Sequence, residues 1–290
     1  MRVFAAGLLA VLASLFFGDS EGLSSLLTNE CGTIRHPSRV RRVVGGHNAD
    51  RFANPWMVMV IGNDTFCGGS LITSLFVLTS ASCLSSTPKE VRLGEYDTEC
   101  TSGDCLSSRL VININGQFIH PQYNFGLSTK NDIALLRMAT KVVYSDYIRP
   151  ICLSVEMPLP RPHQKFTATG WGRTSFSVTS PILQTTTLNL YDRKLCNVIF
   201  NQKLDSSQLC VGIEKSDTCA GDSGGPLAAK IKYNNVRNGT SSGKTRRTFQ
   251  FGIVSFGSSS CNGIGIYTNV NHYTNWIVNT IAKATSPRKG

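Results

Sequence analysis

Short apolar runs separated by turn-forming clusters fill most of the chain. The runs lie at 56–61, 76–79, 111–114, 133–136, 250–254 and 264–268. Clusters of Gly, Asn, Ser and Pro separate them, which is typical of strands joined by tight turns. Many short strands without helical periods between them predict an all-β fold, either an antiparallel barrel or a sandwich.

Only the C-terminal end has a helical pattern. Tyr273, Trp276, Ile277 and Ile281 recur at a spacing of three to four residues, with Pro287 beyond them. We interpret this stripe as the core-packing side of a terminal helix.

The first twenty residues have the pattern of a secretory signal. Arg2 precedes an apolar run over 3–17, and small or polar residues follow at 18–20. The run is shorter than the roughly 20 residues that a membrane-spanning helix needs. We therefore predict a signal peptide over 1–20 and a secreted, extracellular protein without a membrane partner. A short anchor that stays attached is the alternative.

The composition agrees with an extracellular β protein and excludes coiled coils and collagen. Of the 290 residues, 41% are hydrophobic and 16% charged, and ten are cysteines. An even number of cysteines, without a CxxC pair or a Cys/His cluster, favours disulfides in an oxidising compartment over a metal site. Asn63 and Asn238 lie in sequons and are candidate glycosylation sites.

A serine between glycines is the strongest chemical motif. In the segment 221–226, Gly-Asp-Ser-Gly-Gly-Pro, Ser223 can stand exposed while neighbouring backbone N–H groups converge on one point. Such a convergence stabilises the oxyanion of acyl transfer. For this motif alone, a glycine-rich turn is the alternative.

Five further motifs stand in the order seen in the chymotrypsin/trypsin family of serine endopeptidases. They are Val43-Val44-Gly45-Gly46 behind Arg42, Cys67-Gly68-Gly69-Ser70-Leu71-Ile72, Asn131-Asp132-Ile133-Ala134-Leu135, Gly170-Trp171-Gly172 and Tyr267-Thr268. The chain resembles this family from Val43 to about Ala282. The resemblance implies a peptidase domain over 43–290, built from two perpendicular six-stranded antiparallel β-barrels and a C-terminal α-helix. It places the active site in the cleft between the barrels.

The resemblance also implies roles for the site residues. Ser223 matches the nucleophile, Asp132 the buried carboxylate that orients the base, and the N–H groups of Gly221 and Ser223 the oxyanion hole. The family's histidine base belongs in the stretch 78–83, where this sequence has Ser82. A hydroxyl cannot accept and return a proton near neutral pH as an imidazole does. We therefore predict that the domain is practically inert as a peptidase.

None of the five histidines is expected to replace this base. His36 lies in the pro-segment and His47 follows the cleavage point. By the resemblance, His120, His163 and His272 lie outside the segment that lines the cleft, and His120 is expected on an exposed loop.

Zymogen activation is a further implication of the resemblance. The segment 21–42 carries four arginines and has the character of an exposed pro-segment, with a solvated basic run as the alternative. Cleavage after Arg42 would free the ammonium of Val43, which in this family pairs with the carboxylate that matches Asp222. The run 39–42 suits furin-like convertases as well as trypsin-like activators.

The primary specificity pocket has matching residues too. Asp217 matches the floor of the pocket, and Gly257 and Gly265 match its walls. A carboxylate there would bind an Arg or Lys side chain. A surface aspartate between strands is the alternative.

Spacing alone does not decide how ten cysteines pair. The resemblance implies Cys31–Cys152, Cys67–Cys83, Cys196–Cys210 and Cys219–Cys261, and it leaves Cys100 and Cys105 to pair locally. The first of these bridges would keep the cleaved pro-segment tethered. One family bridge is missing altogether, because Phe166 and Ala229 occupy both of its positions.

The stretch 94–97, Gly-Glu-Tyr-Asp, and the small loop from Cys100 to Cys105 resemble insect haemolymph proteases of defence and developmental cascades. Such proteases often carry a clip domain with six cysteines, whereas this pro-segment has Cys31 alone, so we expect no clip domain. In some relatives this loop holds calcium. Glu95, Asp97 and Asp104 are possible ligands here, but solvated loop acids are the favoured interpretation, and no cofactor is expected.

Part of the net charge of +11 is concentrated in one segment. Between 230 and 247 lie six Lys or Arg residues and no acid, on a loop rich in Gly, Ser and Asn. Such a loop can dock a polyanion, such as a sulfated or microbial polysaccharide, or an acidic partner. A basic hairpin that only keeps the protein soluble is the alternative. Nucleic acid is not expected, because aromatic residues do not alternate with these charges.

These observations predict a secreted serine protease homologue that has lost its general base and acts by binding. It would be a monomeric cofactor, decoy or regulator in an extracellular proteolytic cascade, such as an immune one. Its partners would be proteins: a protease, an inhibitor or a cascade substrate. Two alternatives stay open, namely an active trypsin-like endopeptidase cutting after Arg or Lys, and a polysaccharide-binding recognition protein acting through the basic loop.

Overall fold

The computed structural model of the chain describes residues 30–34, 47–63, 65–100, 108–126, 129–154, 165–172, 179–212, 222–237, 240–257 and 263–286. At 47, 233–237 and 240–245 it describes the backbone only. The predicted signal peptide and the cleavage point between Arg42 and Val43 lie outside these ranges. In the part of the chain so described, no helix is long and apolar enough to cross a membrane.

The first half of the domain forms a closed barrel, here called the N-terminal barrel. Strands β2 to β7 pair antiparallel in the order β2-β3-β4-β7-β6-β5. Strand β1 pairs instead with the second sheet. The bounds are β1 His47–Asn48, β2 Met57–Ile61, β3 Phe66–Leu71, β4 Phe76–Thr79, β5 Glu90–Leu93, β6 Leu110–Ile119 and β7 Ala134–Met138.

The burial of strand β2 explains why its sequence is apolar throughout. Val58 and Val60 pack in the cluster that fills this barrel. Met57 and Met59, which alternate with them, belong to a second cluster that reaches the other barrel and the C-terminal helix. Because alternate residues of a strand point to opposite faces, both faces of β2 are buried.

The second half forms the C-terminal barrel. Strands β9 to β14 pair in the order β10-β11-β14-β13-β12-β9, and pairing of β9 with β10 closes the ring. Strand β8 is added parallel to β13. The bounds are β8 Cys152–Leu153, β9 Lys165–Gly170, β10 Gln184–Tyr191, β11 Gln208–Gly212, β12 Pro226–Arg237, β13 Thr240–Gly257 and β14 Ile264–Asn269. The predicted pair of six-stranded antiparallel barrels is confirmed.

The predicted C-terminal helix is confirmed as well. A short 3-10 helix, Val270–Tyr273, leads into the C-terminal helix, Thr274–Thr285, which we call α2. Tyr273 and Ile277 are buried, and Trp276 and Ile281 pack partly buried against the same cluster.

Helix α1, Arg193–Phe200, corrects the expectation that only the C-terminal end is helical. Five of its eight residues are apolar, but Cys196 is its one buried residue among those described, and Leu195, Val198 and Ile199 are exposed. Local signals define it instead: the Asp192 side chain accepts a hydrogen bond from the Lys194 N–H at 2.8 Å, and Asn201 ends the helix with φ of 48°.

The basic segment 230–247 is also not the loop that the sequence predicts. Strands β12 and β13 pair from Pro226↔Ile253 out to Arg237↔Thr240, so most of the segment is a two-stranded ribbon. Its polar residues give no apolar alternation from which a strand would be recognised.

Disulfides tie the elements together. The structure forms Cys31–Cys152, Cys67–Cys83 and Cys196–Cys210. Cys100 is also disulfide-bonded, whereas Cys105, Cys219 and Cys261 lie outside the described residues. Phe166 and Ala229, at the positions of the missing family bridge, are buried in one apolar cluster of the C-terminal barrel.

Candidate active site

Ser82 and Asp132 meet at the edge of the N-terminal barrel. Ser82 begins a 3-10 helix, Ser82–Ser86, directly after β4, and Asp132 lies just before β7. The Ser82 N–H donates to Asp132 Oδ1 at 2.7 Å, and the Ser82 hydroxyl donates to Oδ2 at 3.1 Å. The carboxylate therefore caps the start of the short helix and binds the Ser82 side chain as well.

Two residues of the C-terminal barrel also hold Asp132. The Ser255 hydroxyl donates to Oδ2 at 2.5 Å, and the Thr268 hydroxyl donates to the Asp132 carbonyl at 2.8 Å. Sequence reasoning missed Ser255, because a lone serine in β13 carries no charge or spacing signal, whereas Thr268 stands in the motif Tyr267-Thr268 but was given no role there. The one hint was that Ser255 stands two residues before Gly257, which the resemblance did single out.

Burial dominates the electrostatics of Asp132. The residue is 2% exposed. Burial raises the pKa of its carboxyl above the ordinary value, and hydrogen bonds from Ser255 and Ser82 oppose the rise. Within the described ranges, no Lys, Arg or His forms an ion pair with it. The carboxylate is thus stabilised by hydroxyl and backbone donors alone.

The Ser82 hydroxyl is enclosed on its other side. Ser80, which is fully buried, places its Oγ 2.9 Å from the Ser82 Oγ. The Ser80 hydroxyl also lies 3.0 Å from Cys83 Sγ, to which it can donate. Both serine hydroxyls are therefore engaged in hydrogen bonds beside Asp132.

Tyr123 is a second residue that the sequence did not single out. Burial raises the pKa of its phenol to about 12, the negative charge of Asp132 adds to this, and a hydrogen bond with Ser82 lowers it. The phenol therefore lies close to both groups and stays protonated at neutral pH.

Ser223 lies where the two barrels touch. Its carbonyl accepts a hydrogen bond from the Gly68 N–H of β3 at 2.8 Å, and Cys83 Sγ lies 3.4 Å from the same oxygen. Ser223 is therefore beside the segment that carries Ser82. Its own hydroxyl forms no hydrogen bond with any described residue.

The turn after Ser223 requires glycine. Gly224 has φ of 82°, and a Cβ there would overlap Thr79 Oγ1 and the Gly68 carbonyl. Its N–H donates to the Val254 carbonyl at 2.8 Å. This backbone conformation presents Ser223 at the junction of the barrels.

The Asp222 side chain lies against Gly170 and Gly172. Its Oδ1 accepts from the Gly172 N–H at 2.9 Å. A Cβ on Gly170 would overlap the same oxygen. The carboxylate is held where both glycines leave room for it.

The remaining candidates fall into two groups. Gly257 and Gly265 face each other as ladder partners of β13 and β14. Asp217, Gly221 and Asn238 lie outside the described residues. Asn63 is exposed in the turn between β2 and β3.

His120 is placed differently from the expectation. It is half-buried, not on an exposed loop, and its ring packs 5.2 Å from Tyr273 and 5.3 Å from Trp276. Burial, and then His272, lower the pKa of His120. The ring faces the C-terminal helix because its apolar edges bury there. His36 and His163 lie outside the described residues.

The structure describes two of the three calcium ligands considered from the sequence, Glu95 and Asp97. Glu95 is buried and pairs with Arg109 at 2.5 Å, and Asp104 lies outside the described residues. Across the described ranges, no group of three or more His, Cys, Asp or Glu residues is arranged to hold a metal ion.

Comparison with known proteins defines the class. A family model described as Trypsin matches residues 43–277. The chain therefore belongs to the trypsin family of serine proteases, and its fold and its Ser223 turn agree with that family.

Individual relatives come from insects. Melanization protease 1 of Drosophila melanogaster is 36% identical over 275 residues, covering 83% of this chain and 66% of that protein. Spaetzle-processing enzyme of the same species is 33% identical over 271 residues, covering 81% and 65%. The chain thus spans about two thirds of the length of these relatives. The crystal structure of the Drosophila Grass clip serine protease of the Toll pathway matches with a TM-score of 0.75 at 29% identity, over 91% of this chain and 78% of that one.

Proposed function

We propose that this protein is a secreted, catalytically inactive serine protease homologue that acts by binding within an extracellular proteolytic cascade. One observation carries the proposal: Ser82, which the resemblance matches to the family's histidine base, donates a hydrogen bond from its hydroxyl to Asp132 at 3.1 Å. A nucleophilic serine needs a neighbour that takes up its proton as it attacks. Ser82 has no basic atom for this task.

The other groups beside Ser82 do not supply a base either. Asp132 is buried and already accepts hydrogen bonds from Ser82 and Ser255. The Tyr123 phenol has a pKa of about 12, so it is already protonated at neutral pH and cannot take up the proton of Ser223. His120 packs against the C-terminal helix. In subtilisin, loss of the histidine base lowers kcat about 10⁶-fold, and we expect a loss of that order here.

The residues expected to bind a substrate, in contrast, support the binding of a partner protein. The Ser223 turn is held by Gly68 and Val254, and Asp222 occupies the turn of Gly170 and Gly172. Glycines face each other where the pocket walls are expected. If Asp217 forms the floor, the pocket accepts the Arg or Lys side chain of a partner without cutting it.

The place in a cascade is inferred from the relatives. One is named for melanization and another for Spaetzle processing. Secretion is inferred from the N-terminal signal pattern and from disulfides of the kind that persist in oxidising compartments. A homologue of such proteases that binds without cutting would compete for, or present, their protein substrates and inhibitors.

Turnover of an arginine ester by the cleaved protein tests the proposal. The full chain, cut after Arg42, is expected to hydrolyse the ester no faster than its Ser223→Ala variant does. Binding of p-aminobenzamidine, followed by fluorescence, shows in the same sample whether the pocket has formed. Ser223-dependent turnover within tenfold of ordinary trypsin-like enzymes would instead show that the protein is an active endopeptidase.

A further inference from the structure

The ribbon of β12 and β13 presents cations on one of its faces. Lys232 and Arg246 are direct partners in the antiparallel ladder, and Lys230 lies two residues from Lys232 on the same strand. Facing partners and alternate residues share a face of a ribbon. All three residues are exposed. These three residues define what we call the basic face.

The ribbon itself carries no acid that could compensate the basic face. The whole of 226–257 contains six Lys or Arg residues and no Asp or Glu. None of the three residues of the basic face forms an ion pair with another residue in the described ranges. Side chains of direct ladder partners start roughly 5 Å apart, where like charges repel each other. The pairing of Lys232 with Arg246 therefore costs the isolated ribbon stability that a bound anion would restore.

The base of the ribbon is anchored firmly. Thr248, the ladder partner of Lys230, is buried, and its N–H donates to the Gly32 carbonyl at 2.9 Å. The next residues, Phe249 and Gln250, pair with β8 and are fully or nearly fully buried. The basic face is thus presented by a strand pair whose lower end belongs to the barrel core.

We propose that the basic face binds a linear sulfated polysaccharide. Lys230 and Lys232 are roughly 6.6–6.8 Å apart along β12, and Arg246 lies across the ladder from Lys232, so the three cations form a compact group suited to a chain with closely repeated anionic groups. Three cations so close together call for a high density of anions, which a sulfated polysaccharide supplies and a polysaccharide with carboxylates alone, such as hyaluronan, does not.

An acidic protein fits this face less well. Protein interfaces draw their affinity from a few buried anchors, mostly Trp, Tyr and Arg, in a desolvated centre. The register positions of this face are polar on both strands. They are Lys230, Lys232 and Asn234 on β12, facing Thr248, Arg246 and Lys244 on β13. Charge without an apolar centre is the pattern expected for a polysaccharide, not for a folded protein partner.

Binding of heparin by the full chain tests this proposal. The ribbon variant is Lys230→Gln/Lys232→Gln/Arg246→Gln. The control variant is Lys89→Gln/Lys141→Gln/Lys283→Gln, which removes the same charge from exposed positions in the N-terminal barrel and the C-terminal helix. At an anionic surface each cation contributes about fivefold in affinity, so the ribbon variant should bind roughly 100-fold more weakly. The control variant should stay within about threefold of the wild type.

The outcomes separate the sources of binding. Equal losses in both variants would mean that heparin responds to net charge, and an unchanged ribbon variant would mean that it binds elsewhere; either result overturns the proposal. Hyaluronan or polyglutamate binding the wild type as tightly as heparin does would overturn the assignment to a sulfated chain. Thermal midpoints equal to that of the wild type will show that both variants are folded. Because neither variant touches Ser82 or Ser223, the result is independent of the proposed loss of catalysis.

Discussion

Ser82 and Asp132 are joined by two hydrogen bonds, one from the Ser82 N–H to Oδ1 at 2.7 Å and one from the Ser82 hydroxyl to Oδ2 at 3.1 Å. An imidazole in this position would present a second nitrogen to the nucleophile, whereas a serine side chain ends at the carboxylate. Under the proposed function, the same short contact that holds Asp132 in place leaves Ser223 without a base. Asp132 keeps a structural role as the cap of the 3-10 helix.

The buried carboxylate of Asp132 predicts a specific pH dependence of stability. Its pKa is raised in the folded state above the ordinary 3.8, chiefly by burial. The folded protein therefore binds the proton more tightly than the unfolded chain does. The contribution of this group is fully present below about pH 3.8 and is lost as the pH rises through the raised pKa.

Urea unfolding of the wild type and of Asp132→Asn across that pH range measures this effect. The free energy of unfolding of the wild type, relative to the variant, should fall as the pH rises from below 4 towards neutral. A difference that is constant with pH, or that grows with pH, would mean that the folded carboxyl does not have a raised pKa. The amide of the variant does not titrate. Because all other titratable groups are the same in both proteins, the variant is the reference for the wild type at each pH.

Tyr123 is expected to take no part in proton transfer. Its phenol, with a pKa near 12, is neutral at pH 7 to 8. Tyr123→Phe should therefore leave any residual ester hydrolysis by the cleaved protein unchanged within about twofold. Loss of a Ser223-dependent residual rate in this variant alone would identify the phenol as an unrecognised base and would contradict the account.

The pro-segment is expected to stay attached after cleavage. Cys31 and Cys152 form a disulfide across 121 positions of the sequence, and Gly32 adds hydrogen bonds with Pro150 and Thr248 at 2.8 and 2.9 Å. The chain cut after Arg42 should run as one species on a denaturing gel without reductant and as two with it. Release without reductant would show that the bridge is not formed in solution. Replacing both cysteines by serine should also lower the free energy of unfolding by roughly 2–5 kcal/mol.

Gly170 is predicted to be essential for the position of Asp222. A Cβ there would overlap Oδ1 of Asp222. Gly170→Ala should destabilise the protein by about 1–3 kcal/mol, the usual cost of overpacking, and should weaken p-aminobenzamidine binding. In a double-mutant cycle, Gly170→Ala should cost much less in the background of Asp222→Ala, because the overlapping oxygen is then absent. Equal costs in both backgrounds would place the strain elsewhere.

Much of the fold could be predicted because burial leaves a direct trace in the sequence. Strand β4 has the bounds of the apolar run 76–79, since all four of its residues are buried. The C-terminal helix followed from one apolar stripe. Helix α1 and the β12–β13 ribbon gave no such trace, because the apolar residues of the short helix are mostly exposed, and the ribbon is largely polar.

The site shows the same division between residues that carry a local signal and residues that do not. Ser223 and Asp132 stand in motifs, and the resemblance matches Ser82 to the position of the family's histidine. Ser255 and Tyr123 reach Asp132 only because the fold brings β13 and the segment after β6 to the same edge. A lone serine or tyrosine carries no signal of such a meeting, so only the three-dimensional structure reveals it.

The most direct test of the central claim is the kcat/KM for an arginine ester of the cleaved Ser82→His variant beside that of the cleaved wild type. If position 82 is where the general base is missing, the substitution should raise kcat/KM by about 10³-fold or more. Ser223→Ala in the same background should then abolish the gain. A wild type that already turns over at the rate of the variant, or a variant with no gain despite normal p-aminobenzamidine binding, would contradict the account.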